Sequence, residues 1–186
     1  MITSDSSQQW FVFRATYGRE GRACEIISRE GVQIYLPMRS ERVIVGGIAK
    51  TVRKPLVPNL LFVYCTQKQA DHFVKGHPEL LNFIRYYYNH LVFNSDGTNS
   101  PLIVPNDEME NFIRLTSVNN EHIKIVDPSQ CRFRSGDCVR VMQGPFEGVE
   151  GRVARVAGQQ RVVITLDTIC TIATAYIPSA FLETMD

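Results

Sequence analysis

No C-x-x-C pair joins any of the five cysteines, Cys24, Cys65, Cys131, Cys138 and Cys170, and an odd set cannot be fully paired within one chain. They read as reduced thiols in a cytosol rather than as a disulfide framework. Nor do His72, His77, His90 and His122 show H-x-x-x-H or mixed Cys/His spacing, so they read as surface histidines and no metal is expected. Gly144, Gly148 and Gly151 are not followed by Gly-Lys-Ser/Thr, which makes them turns between short strands rather than a phosphate loop. Without convergent acid/base or ligand groups, neither an enzyme nor a cofactor is expected. An excess of one charge is missing too: Lys+Arg 20 against Asp+Glu 19 leaves a net charge of +1. The molecule as a whole is no polyelectrolyte, and charge has to be read locally. The chain opens on polar residues, and the apolar run from Trp10 is broken at Arg14. That is too early for a signal segment or a membrane span, so a soluble, cytoplasmic protein with no membrane partner is expected.

Apolar residues make up 44% of the 186 positions, enough for packed cores in one or two domains. The stretch from Pro55 to Cys65 is the centre of the first half. Side chains alternate across a strand, which sets Leu60, Phe62 and Tyr64 on one face and Leu61, Val63 and Cys65 on the other. A strand apolar on both faces is either covered on both sides or offers one face to a partner.

Before it, Trp10 to Ala15 reads as a strand and Arg19 to Glu30 as a helix with Ala23, Ile26 and Ile27 at i, i+3, i+4, closed by Gly31. Val32 to Pro37 follows as a strand. Arg39 to Lys54 then forms a hairpin reversing at Gly46-Gly47 and carrying Arg39, Arg42, Lys50, Arg53 and Lys54 against Glu41 alone. Such a hairpin is either a charged, solvated edge or a phosphate-binding surface. After Cys65, Thr66-Gln67-Lys68-Gln69 has the form of a capping box and starts a helix whose face is Ala70, Phe73 and Val74, stopped at Gly76 before His77-Pro78. Leu81 to Tyr88 returns as a strand, with Ile84, Tyr86 and Tyr88 pointing one way. Leu91 to Phe93 and Pro101 to Val104 flank the turn Asn94-Ser95-Asp96-Gly97, and Asn106-Asp107-Glu108 opens a helix that faces Met109, Phe112 and Ile113 inward.

The fold class is therefore α+β. A β-α-β-β-α-β sandwich fills residues 1–118, a linker 119–133, and a small all-β barrel 134–186. The barrel strands are Val139-Arg140-Val141, Gly151-Arg152-Val153, Arg161 to Leu166 and Ile169 to Ala175, with a helical turn near Ser179 to Leu182. No conversion of this barrel to helix is expected. Val139, Val141, Val153, Val156, Val162, Val163, Ile164 and Thr165 are β-branched, and Gly144-Pro145 would break a helix.

The segment Gly136-Asp137-Cys138-Val139-Arg140-Val141, then Gly144-Pro145-Phe146-Glu147-Gly148 and Gly151-Arg152-Val153, resembles the KOW motif of an SH3-like barrel. Upstream, Gln9-Trp10-Phe11-Val12, Tyr35-Leu36-Pro37, Pro58-Asn59-Leu60-Leu61-Phe62-Val63 and Phe83-Ile84-Arg85-Tyr86 resemble the NGN domain, a ferredoxin/RNP-like sandwich, of the NusG family of transcription elongation factors. Where housekeeping members carry Ile-Phe-Gly-Arg in the barrel, this chain has Thr168-Ile169-Cys170-Thr171. Its tail, Ala173-Thr174-Ala175-Tyr176-Ile177-Pro178, is similar to that of the UpxY-type paralogues, antiterminators of capsular and other surface polysaccharide operons.

This resemblance implies binding rather than catalysis. It implies that Leu60, Phe62 and Tyr86, with Ile84 nearby, grip the β′ clamp helices of RNA polymerase, and that Asp71 and His72 face the β gate loop. The bridged polymerase would then resist pausing and termination. It also implies that Arg22 turns toward non-template DNA or nascent RNA in the elongation complex, with Arg19, Arg53 and Lys54 as further phosphate contacts. Tyr17 either stacks on a base or simply packs. Gly144, Phe146, Gly148 and Gly151 are the KOW positions. The expected protein is a monomer, and its barrel is open to a ribosome or another factor as partner. A general elongation/termination factor and a ribosome-associated KOW RNA-binding protein are the alternatives.

Overall fold

The computed structural model describes residues 7–118 and 123–185, with the side chains of Val92 and of 132–137 left out. Part of the expected linker, His122 included, lies outside the described residues, as do the side chains of Phe133 and Asp137 in the expected linker and KOW segment. In chain order the elements are β1 (Gln9–Ala15), α1 (Glu20–Ser28), β2 (Gln33–Tyr35), β3 (Met38–Val45), β4 (Ile48–Pro55), β5 (Leu60–Cys65), α2 (Gln67–Asp71), β6 (Ile84–Tyr86), β7 (Tyr88–Phe93), β8 (Asn99–Pro101), β9 (Ile103–Val104) and α3 (Asn106–Ser117). There follow β10 (Lys124–Val126), β11 (Arg132–Val141), β12 (Glu150–Val156), β13 (Gln159–Leu166), β14 (Cys170–Ala173) and β15 (Leu182–Thr184). The chain is mixed α/β and mostly strand.

It divides into two compact units, one of residues 1–37 with 57–109, the other of 38–56 with 110–186. In the first, an antiparallel sheet runs β2-β5-β1-β6, with β9 pairing β1 beside β6. One face carries Phe11, Phe13 and Ala15 from β1, Leu61, Val63 and Cys65 from β5, and Ile84 and Tyr86 from β6. It is packed with Ala23, Ile26 and Ile27 of α1 and with Ala70, Phe73 and Val74. Thr66 accepts from the Gln69 amide while the Gln69 side chain accepts from the Thr66 amide, so the capping box forms as read. The helix then widens into a π turn over His72–Gly76, closed by the His77 amide donating to the His72 carbonyl at 2.8 Å.

Asn59 anchors the approach to β5. Its backbone is left-handed (φ 64°), which Asn tolerates better than most residues. Its carbonyl accepts from the Ala15 amide at 2.8 Å, its side-chain oxygen accepts from the Gly18 amide at 3.3 Å, and its own amide donates to Glu20 Oε1. Glu20 is 3% exposed, and this bond satisfies a carboxylate oxygen that burial would otherwise leave costly.

The expected strand Leu81 to Tyr88 is shorter and divided. The Leu80 carbonyl takes the amides of both Phe83 and Ile84, so a turn occupies the residues before Ile84, and Tyr88 begins the separate β7–β8 hairpin. The expected strand over Val32 to Pro37 likewise shrinks to Gln33–Tyr35.

In the second unit, β3 and β4 pair over their whole length, from Met38↔Pro55 to Val45↔Ile48. Gly46 and Gly47 take φ 59° and 80°, the paired left-handed conformation that a two-residue hairpin turn demands. A six-stranded antiparallel sheet runs β10-β14-β13-β12-β11-β15. The segment read as linker thus contains a strand, Lys124–Val126, paired with Thr171 to Ala173, and a 3-10 turn at Pro128–Gln130. Three residues are too few to show a period of two, and pairing to a distant strand stabilises them. Within this unit the end of α3 bonds to the sheet's β11–β12 connection. Asn111 Oδ1 accepts from the Glu150 amide at 2.8 Å, its Nδ2 donates to the Glu150 carbonyl, and Arg114 donates to the Gly148 carbonyl.

Candidate functional site

Register decides which apolar residues can act together. Opposed residues of an antiparallel pair share a face, and β1 sets Val12 opposite Phe62 and Arg14 opposite Leu60, but Phe13 opposite Tyr86 and Ala15 opposite Ile84. Leu60 and Phe62 therefore lie on one side of the sheet, Ile84 and Tyr86 on the other. The single apolar patch expected from these residues does not form. Both sides are covered: Leu60 is 7% exposed, Tyr86 5%, and Phe62 and Ile84 0%. The strand is an ordinary interior one, and its large side chains are core.

Tyr86 is buried but for 5% of its surface, and its hydroxyl bonds to side chains of the helix beside it. That group donates to Asp71 Oδ1 at 3.2 Å and accepts from Gln67 Nε2 at 3.1 Å, while Gln67 Nε2 also lies 3.2 Å from Asp71 Oδ2. Lys75, four residues beyond Asp71, pairs with its carboxylate and sets Nζ 5.9 Å from the Tyr86 ring centre. Burial, then the Asp71 charge beside it, pushes the Tyr86 pKa well above the ordinary phenol value, so the hydroxyl remains a donor. Burial would raise the Asp71 carboxyl as well, yet bonds from Lys75 and Gln67, the Lys75 charge and the Tyr86 hydroxyl outweigh it and hold the group below its usual range. His72 points elsewhere, toward Glu30 and His77. Asp71 and His72, adjacent in sequence, thus belong to two different clusters.

Of the expected nucleic-acid residues, Arg19 and Arg22 are brought together. Their guanidinium carbons stand 5.4 and 5.8 Å from the centre of the Phe83 ring, and Arg19 lies 5.6 Å from Tyr17. Tyr17 is 86% exposed on a left-handed backbone (φ 62°) and has a face free of packing. Arg53 and Lys54 sit on β4. Lys54 pairs with Glu41 at 3.2 Å, and Arg39 approaches the same carboxylate at 3.6 Å, so part of the hairpin's charge is internally balanced.

Of the positions expected for a KOW motif, Gly144, Phe146 and Gly148 lie in the connection between β11 and β12, and Gly151 lies on β12 itself. The Gly148 amide returns to the Val141 carbonyl at 2.7 Å, the Glu147 amide to Gly144, and Phe146 is buried beneath the loop. Gly151 lies so close to β13 that a Cβ there would stand 2.6 Å from the Val163 carbonyl oxygen. The tail after β14 is part of the fold: Thr174 is wholly buried, its hydroxyl accepting from the Val162 amide at 3.0 Å, and Ile177 is buried behind it.

A family model described as "Transcription termination factor nusG" matches residues 8–113, more than half of the chain. The chain belongs to the NusG family. A curated relative, the transcription termination/antitermination protein NusG of Thermus thermophilus, is 26% identical over 130 residues, spanning 65% of this chain and 64% of that protein. The alignment thus takes in just under two thirds of the relative. A solved structure titled "Domain interaction in Thermotoga maritima NusG" aligns over 97% of this chain and 98% of its own, with a TM-score of 0.46 and 20% identity. No helix among the described residues of this NusG-family chain is long and apolar enough to cross a membrane.

Sequence reasoning passed over three exposed apolar residues on the β7–β8 hairpin of the first unit: Tyr88 (41% exposed), Leu91 (75%) and Phe93 (65%). Tyr88 leads outward from the Tyr86 cluster, the two rings meeting edge to face at 6.1 Å. The available signal was the turn at Asn94 to Gly97, which marks a hairpin; among the described residues β7 and β8 form a sheet of two strands.

Proposed function

We propose that this chain is a transcription elongation and antitermination factor that binds RNA polymerase through an NGN-type module and carries an SH3-like KOW barrel. The match of the family model to residues 8–113 carries this reading. The strand order β2-β5-β1-β6 within a β-α-β-β-α-β path supports the NGN assignment, and the tight β11–β12 connection over Gly144 to Gly148 supports the KOW one. Pairing of Lys124–Val126 with β14 favours a barrel beginning near Lys124 rather than at 134. The function is regulatory and non-catalytic.

Buried Leu60, Phe62, Ile84 and Tyr86 then act by shaping the sheet, and contact with the β′ clamp helices falls to the exposed Tyr88, Leu91 and Phe93 beside the Tyr86 cluster, with Asp71 and His72 toward the β gate loop. Aromatic and aliphatic side chains at a rim of paired charges suit an interface centre. Arg19, Arg22 and Tyr17 form a cation–aromatic surface for non-template DNA or nascent RNA. The tail from Ala173 to Pro178 favours a specialist of a surface polysaccharide operon, acting as a monomer, over a general factor. The barrel's own partner is a ribosome or another factor.

Pull-down of core RNA polymerase with the full chain, with and without nuclease, tests the reading. Retention after digestion is expected, and loss on digestion would turn the assignment toward a KOW RNA-binding protein. Within the same assay, Tyr88→Ala should weaken capture by about tenfold or more at unchanged Tm, as an interface anchor does. Unchanged capture by Tyr88→Ala, Leu91→Ala and Phe93→Ala alike would remove this hairpin from the interface.

A further inference from the structure

The fold gathers two histidines and a carboxylate that sequence spacing keeps apart. His72 and His77 are five residues apart, and on an α-helix that separation turns the second side chain about 140° from the first. Here the π turn intervenes. The His77 amide closes on the His72 carbonyl at 2.8 Å, an i to i+5 bond, and the two imidazoles come to 5.6 Å between ring centres. Glu30, just past the last turn of α1, reaches the same place. Its Oε1 lies 3.2 Å from His77 Nε2 and 3.8 Å from His72 Nε2. The donor atoms of all three residues are within 4.8 Å of one another.

We propose that Glu30, His72 and His77 bind a divalent transition-metal ion of the zinc class. A tetrahedral ion with bonds of about 2.0–2.2 Å holds its donors about 3.4 Å apart, and the two distances from Glu30 bracket that value. Two imidazoles and one carboxylate suit Zn²⁺, Co²⁺ or Ni²⁺ rather than Mg²⁺ or Ca²⁺, which prefer oxygen alone. Half of the His72 side chain is exposed, as is 39% of Glu30, while His77 is 12% exposed. The two outer ligands can thus rotate onto the ion, the inner one is held, and water has access to a fourth position. Gly76 leaves the necessary room, since a Cβ there would stand 3.3 Å from His72 Nδ1. One local bond opposes binding. His77 Nδ1 accepts from the Glu79 amide at 3.3 Å, and metal on Nε2 places the proton on Nδ1, so that long contact must open. An ion here would tie the end of α1 to the turn after α2 and stabilise the unit that contains both.

Titration of the full chain with Co²⁺, read by the visible ligand-field absorption and followed by displacement with Zn²⁺, tests the proposal. One saturable site is expected, with Zn²⁺ raising Tm. Affinity should fall at least tenfold in Glu30→Gln, His72→Gln and His77→Gln and stay unchanged in Cys138→Ser, which removes an exposed thiol that could compete. Absence of saturable binding would overturn the proposal, and so would binding that survives the His72→Gln/His77→Gln double variant. Should His77→Gln fail to fold, Glu30→Gln and His72→Gln decide the outcome, because both residues are partly exposed and outside the core.

Discussion

Replacing Phe62 by alanine separates a core role from an interface role. Phe62 has no exposed surface, stands opposite Val12 in the register, and lies on the face that also carries Trp10, Leu60 and Tyr64. A buried Phe→Ala change commonly costs about 3–5 kcal/mol, transfer and cavity together. Against a domain stability of roughly 5–15 kcal/mol that is a large fraction, and at about 4–8 °C of Tm per kcal/mol for a unit of this size it lowers Tm by about 12 °C or more. The chain supplies its own probe: Trp10 is the single tryptophan, 5% exposed, with its ring 5.2 Å from that of Tyr64 on the same face. Urea and thermal unfolding followed by Trp10 emission therefore report on the unit that holds Phe62. The reasoning predicts a lower midpoint at an unchanged m value, and any loss of polymerase capture should track the unfolded fraction. A wild-type midpoint together with more than tenfold weaker polymerase binding would refute it and return Phe62 to the interface.

Asn59→Ala removes the bond from the Gly18 amide and strains a left-handed residue, for an expected loss of about 1–3 kcal/mol in denaturant unfolding. Asn59→Gly keeps the backbone conformation and should lose less; equal losses would show that φ is irrelevant there. Gly151→Ala drives a methyl group into the Val163 carbonyl and the Val162 side chain, and should destabilise the six-stranded sheet by about 1–3 kcal/mol or displace β13. A crystal or solution structure of that variant with β12 and β13 unshifted at full stability would contradict this. Burial pushes the thiols of Cys65 and Cys170 up to about 12 and, with the charges of Glu20 and Glu25 added, that of Cys24 to about 11. Near neutral pH their thiolate fraction is then roughly 10⁻⁴ or lower. Mass spectrometry of iodoacetamide-treated native protein should find the exposed Cys138 modified first, and comparable rates at Cys65 would overturn the assignment.

Local chemistry was legible without any fold. The capping box of Thr66 and Gln69, the reversal at Gly46-Gly47 and the α1 stripe of Ala23, Ile26 and Ile27 each involve residues within a few positions of one another, so short-range sterics and hydrogen bonding suffice to specify them. The alternation in Leu60 to Cys65 likewise announced a strand apolar on both faces, and Gly144 and Gly148 announced a tight turn, whereas Gly151 proved to be a strand residue pressed against β13. What alternation cannot carry is which strands lie side by side. Only the antiparallel register, Phe62 against Val12 and Tyr86 against Phe13, put those two aromatics on opposite sides of one sheet and turned an expected binding patch into core. The same holds for Asp71 and His72, which part company because one meets Tyr86 and the other Glu30. A three-residue strand such as β10 has no period to read and exists through its pairing with β14. His72 and His77 showed no ligand spacing in the sequence because that spacing presumes an α-helix, and the extra residue in the π turn changes which side chains meet. Contacts close in sequence are set by propensity and stereochemistry, whereas contacts distant in sequence depend on the pairing of whole elements, which no single segment encodes.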